Sequence, residues 1–288
     1  SVIIDTFDLP LRYDFEHYEL NETGKYQVFF EETQGTALFK QYIWASGNSG
    51  FALTGVGRNP QEYPTVSIEN GIDGSRAIKL ETKSTGQFGE TVKMPIAAGN
   101  LFLGSFDVNN AVQKPLKATR FGLPFGKKPL QLKGYYKYTP GTQPFKAKDK
   151  NGNTVTIPGQ EDEGDIYAVL YEAAELDGKA LDGNNVLTSE YIVALARVEV
   201  EKKDEFTAFH VDFHYGSRIP IDWPKFIQDQ RDPSDDGTDE YLPFKEKKMK
   251  NYEYNLAVVF TSSKYGAYFA GSVGSTLCID KVEIVCEK

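Results

Sequence analysis

Leu132-Lys133-Gly134-Tyr135-Tyr136-Lys137-Tyr138 puts Leu132, Tyr136 and Tyr138 on one side of an extended chain and Lys133, Tyr135 and Lys137 on the other. Strand side chains alternate between two faces, so this stretch reads as a strand with one buried and one solvated face. Thr139-Pro140-Gly141 ends it, because proline cannot donate to a ladder. Downstream, residues 145–147 and 154–157 flank Lys150-Asn151-Gly152-Asn153, and Asn-Gly between strand formers predicts a hairpin, expected as an exposed flap. Further strands are predicted at 165–171, 191–200, 206–215, 254–261 and 277–285. Helical stripes are scarce. Short alternating runs divided by Gly, Asn, Asp and Pro predict an antiparallel sandwich or barrel with a Greek-key number of strands.

Composition agrees with that reading. The chain has 288 residues, 40% hydrophobic and 25% charged, which excludes a disordered or collagen-like chain and is enough to bury a full core. A boundary near Lys128 is conceivable, since alternation is less regular before it, but a single domain over residues 1–288 is the expected organisation. The net charge of −9 argues against nucleic acid, whose phosphates require clustered Lys and Arg. No run of about 18 apolar residues occurs, and stretches such as Leu256 to Phe260 are strand-sized. The opening Val2-Ile3-Ile4 has no signal-peptide pattern, so an export signal is expected to have been removed. Cys278 and Cys286 lie in one strand-like run, beyond disulfide reach, and read as two buried thiols.

Several motifs fail on chemistry. Gly55-Val56-Gly57-Arg58-Asn59-Pro60 begins like a dinucleotide loop, but it ends in proline and no helix pattern follows. Asp232, Ser234, Asp236 and Gly237 fill early positions of a calcium loop whose last position is Pro243, which cannot chelate. Asp149, Asn151 and Asn153 have a similar early spacing, better explained by the hairpin turn. His210 and His214 would meet on a helix, yet in a strand they stand about 13 Å apart, too far for one metal ion. Their face also carries Asp212 and opposes Phe209, Val211 and Phe213. Most such polar faces are simply solvated. The sharper reading is a concave His-Asp-His surface that hydrogen-bonds sugar hydroxyls.

Sugars stack their C–H faces on aromatic rings and need paired polar groups for their hydroxyls. Trp44, Trp223, Tyr135, Tyr265 and Tyr268 are the candidate platforms, against the plainer reading of each as an edge or core aromatic. A glycosidase would instead need two carboxylates about 5 to 10 Å apart, and Asp165, Glu199 and Asp212 are the candidates on neighbouring strand patterns.

Four segments in order then carry a resemblance: 42–48 (YIWASGN), 98–104 (AGNLFLG), 121–125 (FGLPF) and 132–141 (LKGYYKYTPG), followed by 260–264 (FTSSK), 269–277 (FAGSVGSTL) and 279–284 (IDKVEI). The chain resembles the putative carbohydrate metabolism domain family of Bacteroides-type surface proteins from about Trp44 onward. The resemblance implies a jelly-roll β-sandwich of two antiparallel sheets, of the galactose-binding and carbohydrate-binding-module type. It also implies export to the outer membrane surface or periplasm, with membrane contact only through an upstream lipidated anchor not present in these 288 residues. No catalytic residue is carried over. Similar jelly rolls clamp a structural calcium ion with carboxylates near the first and last strands, which here points to Glu16 and Asp280 as metal ligands; no other cofactor is expected.

The expected function is non-catalytic binding of an oligo- or polysaccharide by a monomer, with Trp223 and Tyr135 stacking and His210, Asp212, His214 and Arg197 hydrogen-bonding. The alternatives are a glycoside hydrolase or lyase built on Asp165, Glu199 or Asp212, and a structural or adhesive module that binds protein through the long loop at 222–250.

Overall fold

In the computed structural model, which describes residues 8–33, 39–176, 179–246 and 253–288, the 132–138 stretch is the middle of the strand Pro129–Thr139. Its alternation is as read: Leu132, Tyr136 and Tyr138 are buried, while Lys133, Tyr135 and Lys137 are only partly covered. Gly134 also faces inward, because a Cβ there would come within 2.9 Å of the Phe209 ring and 3.0 Å of Val282. The strand pairs with Lys203–Asp212 on one side and Thr276–Cys286 on the other, and Ala77–Glu81 and Thr65–Ile68 extend the sheet beyond the latter. Arg12–Tyr13 adds a sixth strand.

A nine-stranded sheet packs against this one. At its centre Tyr254–Thr261 lies between Asn100–Phe106 and Asp165–Glu172, and Asp165–Glu172 pairs in turn with Ile192–Val198. All pairings are antiparallel, giving the jelly-roll β-sandwich. Leu132, Tyr136 and Tyr138 share one core with Ile166, Ala168, Leu170, Leu256, Val258 and Phe260 from the opposite sheet. Each Leu, Ile, Val or Phe side chain among them, taken from water, stabilises the fold by about 1.5–3 kcal/mol. Strands on both sides of Lys128 enter both sheets, so the chain does not divide there into separately sheeted halves.

The larger sheet is apolar on its outer face as well. Tyr167, Val169 and Tyr171 point away from the sandwich and pack with Phe102, Phe121, Leu195, Val259 and, from outside the sheet, Val186 and Tyr241. Continuous apolar runs such as 166–171 are the expected sequence of a strand buried on both faces. The covering layer comes from segments between strands. The expected loop at 222–250 supplies part of it, with a short helix Lys225–Gln228 and a turn Pro233–Asp235; its last residues, 247–250, lie outside the described residues, as does the Val2-Ile3-Ile4 opening.

Two local expectations differ in detail. The hairpin Lys146–Lys148/Thr154–Thr156 forms, but it is docked rather than a free flap. Phe145 and Ala147 are buried against Ile227 and Ala270, and the Gln230 side chain donates to the Asp149 carbonyl at 2.7 Å. Hydrophobic cover on one face outweighs the polarity of its turn. Cys278 and Cys286 are both unpaired, but only Cys278 is fully buried. Burial pushes both thiols up to about 11. The two acidic loops are turns: Asp149 accepts from the N–H of Asn151 and Asn153, and Asp232 from that of Ser234.

Candidate functional site

Antiparallel pairing sets Tyr167 opposite Arg197, which places Asp165, two residues earlier and on the same face, diagonally within reach of the guanidinium. The result is a bidentate pair, Arg197 Nε to Asp165 Oδ1 at 3.0 Å and Nη2 to Oδ2 at 2.7 Å. The guanidinium carbon also stands 5.8 Å from the Tyr167 ring centre. Asp165 is 3% exposed. Burial disfavours the charge on Arg197, but the adjacent Asp165 carboxylate outweighs it and holds the guanidinium pKa above its ordinary value.

This pair lies in a cleft of about 200 Å³ over the outer face of the larger sheet. The wall beside it is aromatic. Trp223 and Tyr265 approach at 6.4 Å between ring centres, and Phe226 meets Tyr265 edge-on at 5.8 Å. The Arg231 guanidinium, ion-paired with Asp236, covers one face of the Trp223 indole at 4.3 Å. Lys264, paired with Glu163 at 2.9 Å, also lines the cleft, as does Tyr268. The floor is Phe102 against Phe121 at 4.9 Å, with Tyr167 and Val259.

The Tyr265 wall is fixed from below by Asp162. Its Oδ2 accepts from Ser263 Oγ at 2.6 Å, Ser275 Oγ at 2.7 Å and the Ser272 N–H at 2.8 Å. Burial pushes this carboxyl up to about 6, against the pull of those donors. Asp162→Ala removes the acceptor shared by three donors at a buried site, of which Ser263 keeps Thr82 as a partner, and is expected to cost about 3 kcal/mol, read as a lowered urea midpoint. A loss below about 0.5 kcal/mol would show that the network does not brace the wall.

The sequence-derived residues divide between the two sides of the sandwich. Trp223 and Arg197 line the cleft, with Tyr265, Tyr268 and Asp165 from the wider candidate sets. Tyr135, His210 and Asp212 sit on the opposite, outer face of the six-stranded sheet, where Lys133 pairs with His210 and Gln131 with Asp212. His210 and Asp212 are exposed, and Gln131 donates to Asp212 at 2.8 Å. His214 is separated from them because the chain crosses between sheets at the buried Phe213, and the short strand His214–Tyr215 pairs with Ile192–Val198 of the other sheet. The expected His-Asp-His trough therefore does not form: two members are solvated on an edge strand and the third stands against Tyr241. The alternation that groups them is real, but it cannot report where a strand changes sheets.

The candidate carboxylates also fail to converge. Asp165 is the one carboxylate among the described residues lining the cleft, both its oxygens face Arg197, Glu199 is exposed, and Asp212 is on the other sheet. Lys264, Phe102 and Phe121 were not legible as site residues. The uninterrupted apolar run at 166–171, which implies cover on the second face, is the signal that could have found them.

Glu16 and Asp280 both hold the loop 71–76. Asp280 Oδ2 accepts from the Ile72 N–H at 2.7 Å and Ser75 Oγ at 2.9 Å, its Oδ1 from the Lys281 N–H at 2.7 Å, and Glu16 accepts from the Arg76 N–H at 3.1 Å. Gly71 is required there, since a Cβ would lie 2.6 Å from Asp280 Oδ2. Burial raises the Asp280 pKa, and the Ile72, Ser75 and Lys281 donors oppose it. A calcium ion wants six or more oxygens. In this structure these carboxylates face N–H and O–H donors, and no group of three His, Cys, Asp or Glu side chains converges among the described residues.

The architecture is that of a β-sandwich domain with a loop-covered cleft on its larger sheet. The family described as "Putative carbohydrate metabolism domain" matches residues 14–285, and the chain belongs to that family. Two solved structures are similar over nearly the whole chain. A structure titled a putative glycoside hydrolase from Bacteroides thetaiotaomicron is 40% identical with a TM-score of 0.78, over 98% of this chain and 72% of that one. Another so titled, from Bacteroides vulgatus, is 34% identical with a TM-score of 0.75, over 97% and 99%. A search of curated proteins found no match.

Proposed function

We propose that the protein binds an oligo- or polysaccharide, without cleaving it, at the Arg197–Trp223 end of the cleft. The observation that carries this reading is the juxtaposition of a charged, bidentate Asp165–Arg197 pair with the Trp223–Tyr265 wall. Ring faces take the C–H side of a sugar, and the pair and Lys264 offer acceptors and donors to its hydroxyls. Family membership supports a carbohydrate ligand. Against hydrolysis stands the lack of a second carboxylate among the described lining residues, since both retaining and inverting mechanisms need two.

The test is a glycan array on the purified protein, followed by calorimetry with a bound glycan. Trp223→Ala is expected to weaken binding about tenfold or more, the cost of losing a stacking platform, while Asp212→Ala leaves it unchanged. The reverse result would return the site to the outer face of the smaller sheet with Tyr135 and His210. Release of reducing sugar from a bound glycan would replace binding by hydrolysis.

A further inference from the structure

The cleft has a second end whose chemistry is unlike the first. Beyond Phe102 it runs to Phe51, Phe88, Val92 and Met94. Phe88 is carried outward by the short helix Gly86–Thr91 and is 40% exposed, and Val56, 41% exposed, stands beside the helix start, where a Cβ on Gly86 would come within 2.9 Å of it. The oxygens of the polar side chains here already have backbone partners. Thr54 Oγ1 donates to the Phe51 carbonyl at 2.7 Å, Thr85 Oγ1 to the Met94 carbonyl at 2.5 Å, and Asn100 Oδ1 accepts from the Gly47 N–H at 2.7 Å.

A sugar ring placed in this end would lose water from its hydroxyls and find few partners for them. Left to solvent, the same surface is an apolar patch rimmed by polar residues, the usual mark of a recognition site. We infer that the ligand is a saccharide bearing an apolar substituent, an aryl or acyl group, which seats among Phe51, Phe88, Val92 and Met94 while the sugar lies at the Asp165–Arg197 pair. The inference rests on the saccharide reading and adds the substituent class. The two ends demand opposite chemistries in one ligand, and a substituted sugar supplies both. Phe88 acts as the outer clamp of the substituent, since burying its exposed part is gained only when that group is present.

The experiment is calorimetry of the intact protein with methyl, phenyl and octyl glycosides of glucose, galactose, mannose and xylose, beside free phenol and octanol. The expected result is that the phenyl or octyl glycoside of at least one sugar binds about tenfold or more tightly than its methyl counterpart. Phe88→Ser, at an exposed position, is expected to collapse that ratio to about one. A phenyl preference identifies an aryl substituent and an octyl preference an acyl-like chain. Methyl, phenyl and octyl glycosides binding alike would overturn the substituent while leaving the saccharide reading in place. Phenol or octanol binding as tightly as its glycoside, or no glycoside binding at all, would overturn the substituted-sugar ligand, while the glycan array decides the saccharide reading separately.

Discussion

Arg197→Leu is expected to lower the free energy of unfolding by about 3–5 kcal/mol, the usual consequence of leaving a buried charge without its partner. Asp165 has a side-chain exposure of 4% and Arg197 of 18%, so water cannot fully replace the lost guanidinium. The pair itself is not thereby a large source of stability, because removing two charges from water costs nearly what their attraction returns. Asp165→Leu/Arg197→Leu should therefore recover most of the loss, and the double-mutant cycle should show strong coupling. Saccharide binding is expected to vanish in both variants, because the charged end of the cleft is gone in both. A single variant within about 1 kcal/mol of wild type, or a double variant as unstable as the single, would mean that Asp165 finds other partners or water.

Glu31 makes the second large prediction. It lies on the strand Gln27–Thr33, is 5% exposed, and accepts the Trp44 indole N–H at 2.9 Å. Trp44 in turn packs on Tyr13, Phe15 and Phe260 in the main core. Burial first, then the neighbouring Asp14 and Glu16 charges, push the Glu31 carboxyl from its ordinary 4.5 up to about 8, while the indole hydrogen bond pulls the other way. A carboxyl with a raised folded-state pKa binds its proton more tightly when folded. Its contribution is greatest below 4.5 and declines as pH rises from 4.5 to about 8, where ionising it in place becomes as unfavourable as it will be. That span corresponds to about 5 kcal/mol.

Asp162 contributes a similar decline at lower pH, between its ordinary 3.8 and about 6, so the upper part of the range belongs to Glu31. The wild-type urea midpoint is expected to fall between about pH 6 and 8.5, and Glu31→Gln to be flat across that window and the more stable of the two at its upper end. Glutamine keeps the acceptor for Trp44 and offers a donor to Asp14 in place of the carboxyl proton. Parallel curves for the two proteins would remove Glu31 from the account.

Reading the sequence located strands well and the site only partly. The stretch 132–138 has one solvated face, so its alternation was visible and its orientation followed. The strands Asp165–Glu172 and Tyr254–Thr261 are buried on both faces, so alternation is lost there; the same loss announces a third layer. Trp223 was named as an aromatic platform in a long loop, and Arg197 as a hydrogen-bonding residue on the predicted strand 191–200. The partnership of Arg197 with Asp165 was not visible, because it depends on the register between strands about thirty residues apart. His210, Asp212 and His214 illustrate the reverse failure: parity within one strand was correct, but the crossing at Phe213 sends His214 to the other sheet.

Local pattern alone was enough to point to an antiparallel sandwich or barrel, to the long strands from Pro129 onward and to the inward set of 132–138, because hydrophobic period and turn chemistry act within a few residues; most strands before Pro129, the central Asn100–Phe106 among them, were not legible. Ordered motifs along the chain were enough to point to the family. Which face of which sheet carries the cleft, which carboxylate meets which arginine, and which phenylalanines stay open to solvent were decided only by tertiary structure, since each depends on strand register and on loops returning over the larger sheet from distant parts of the chain.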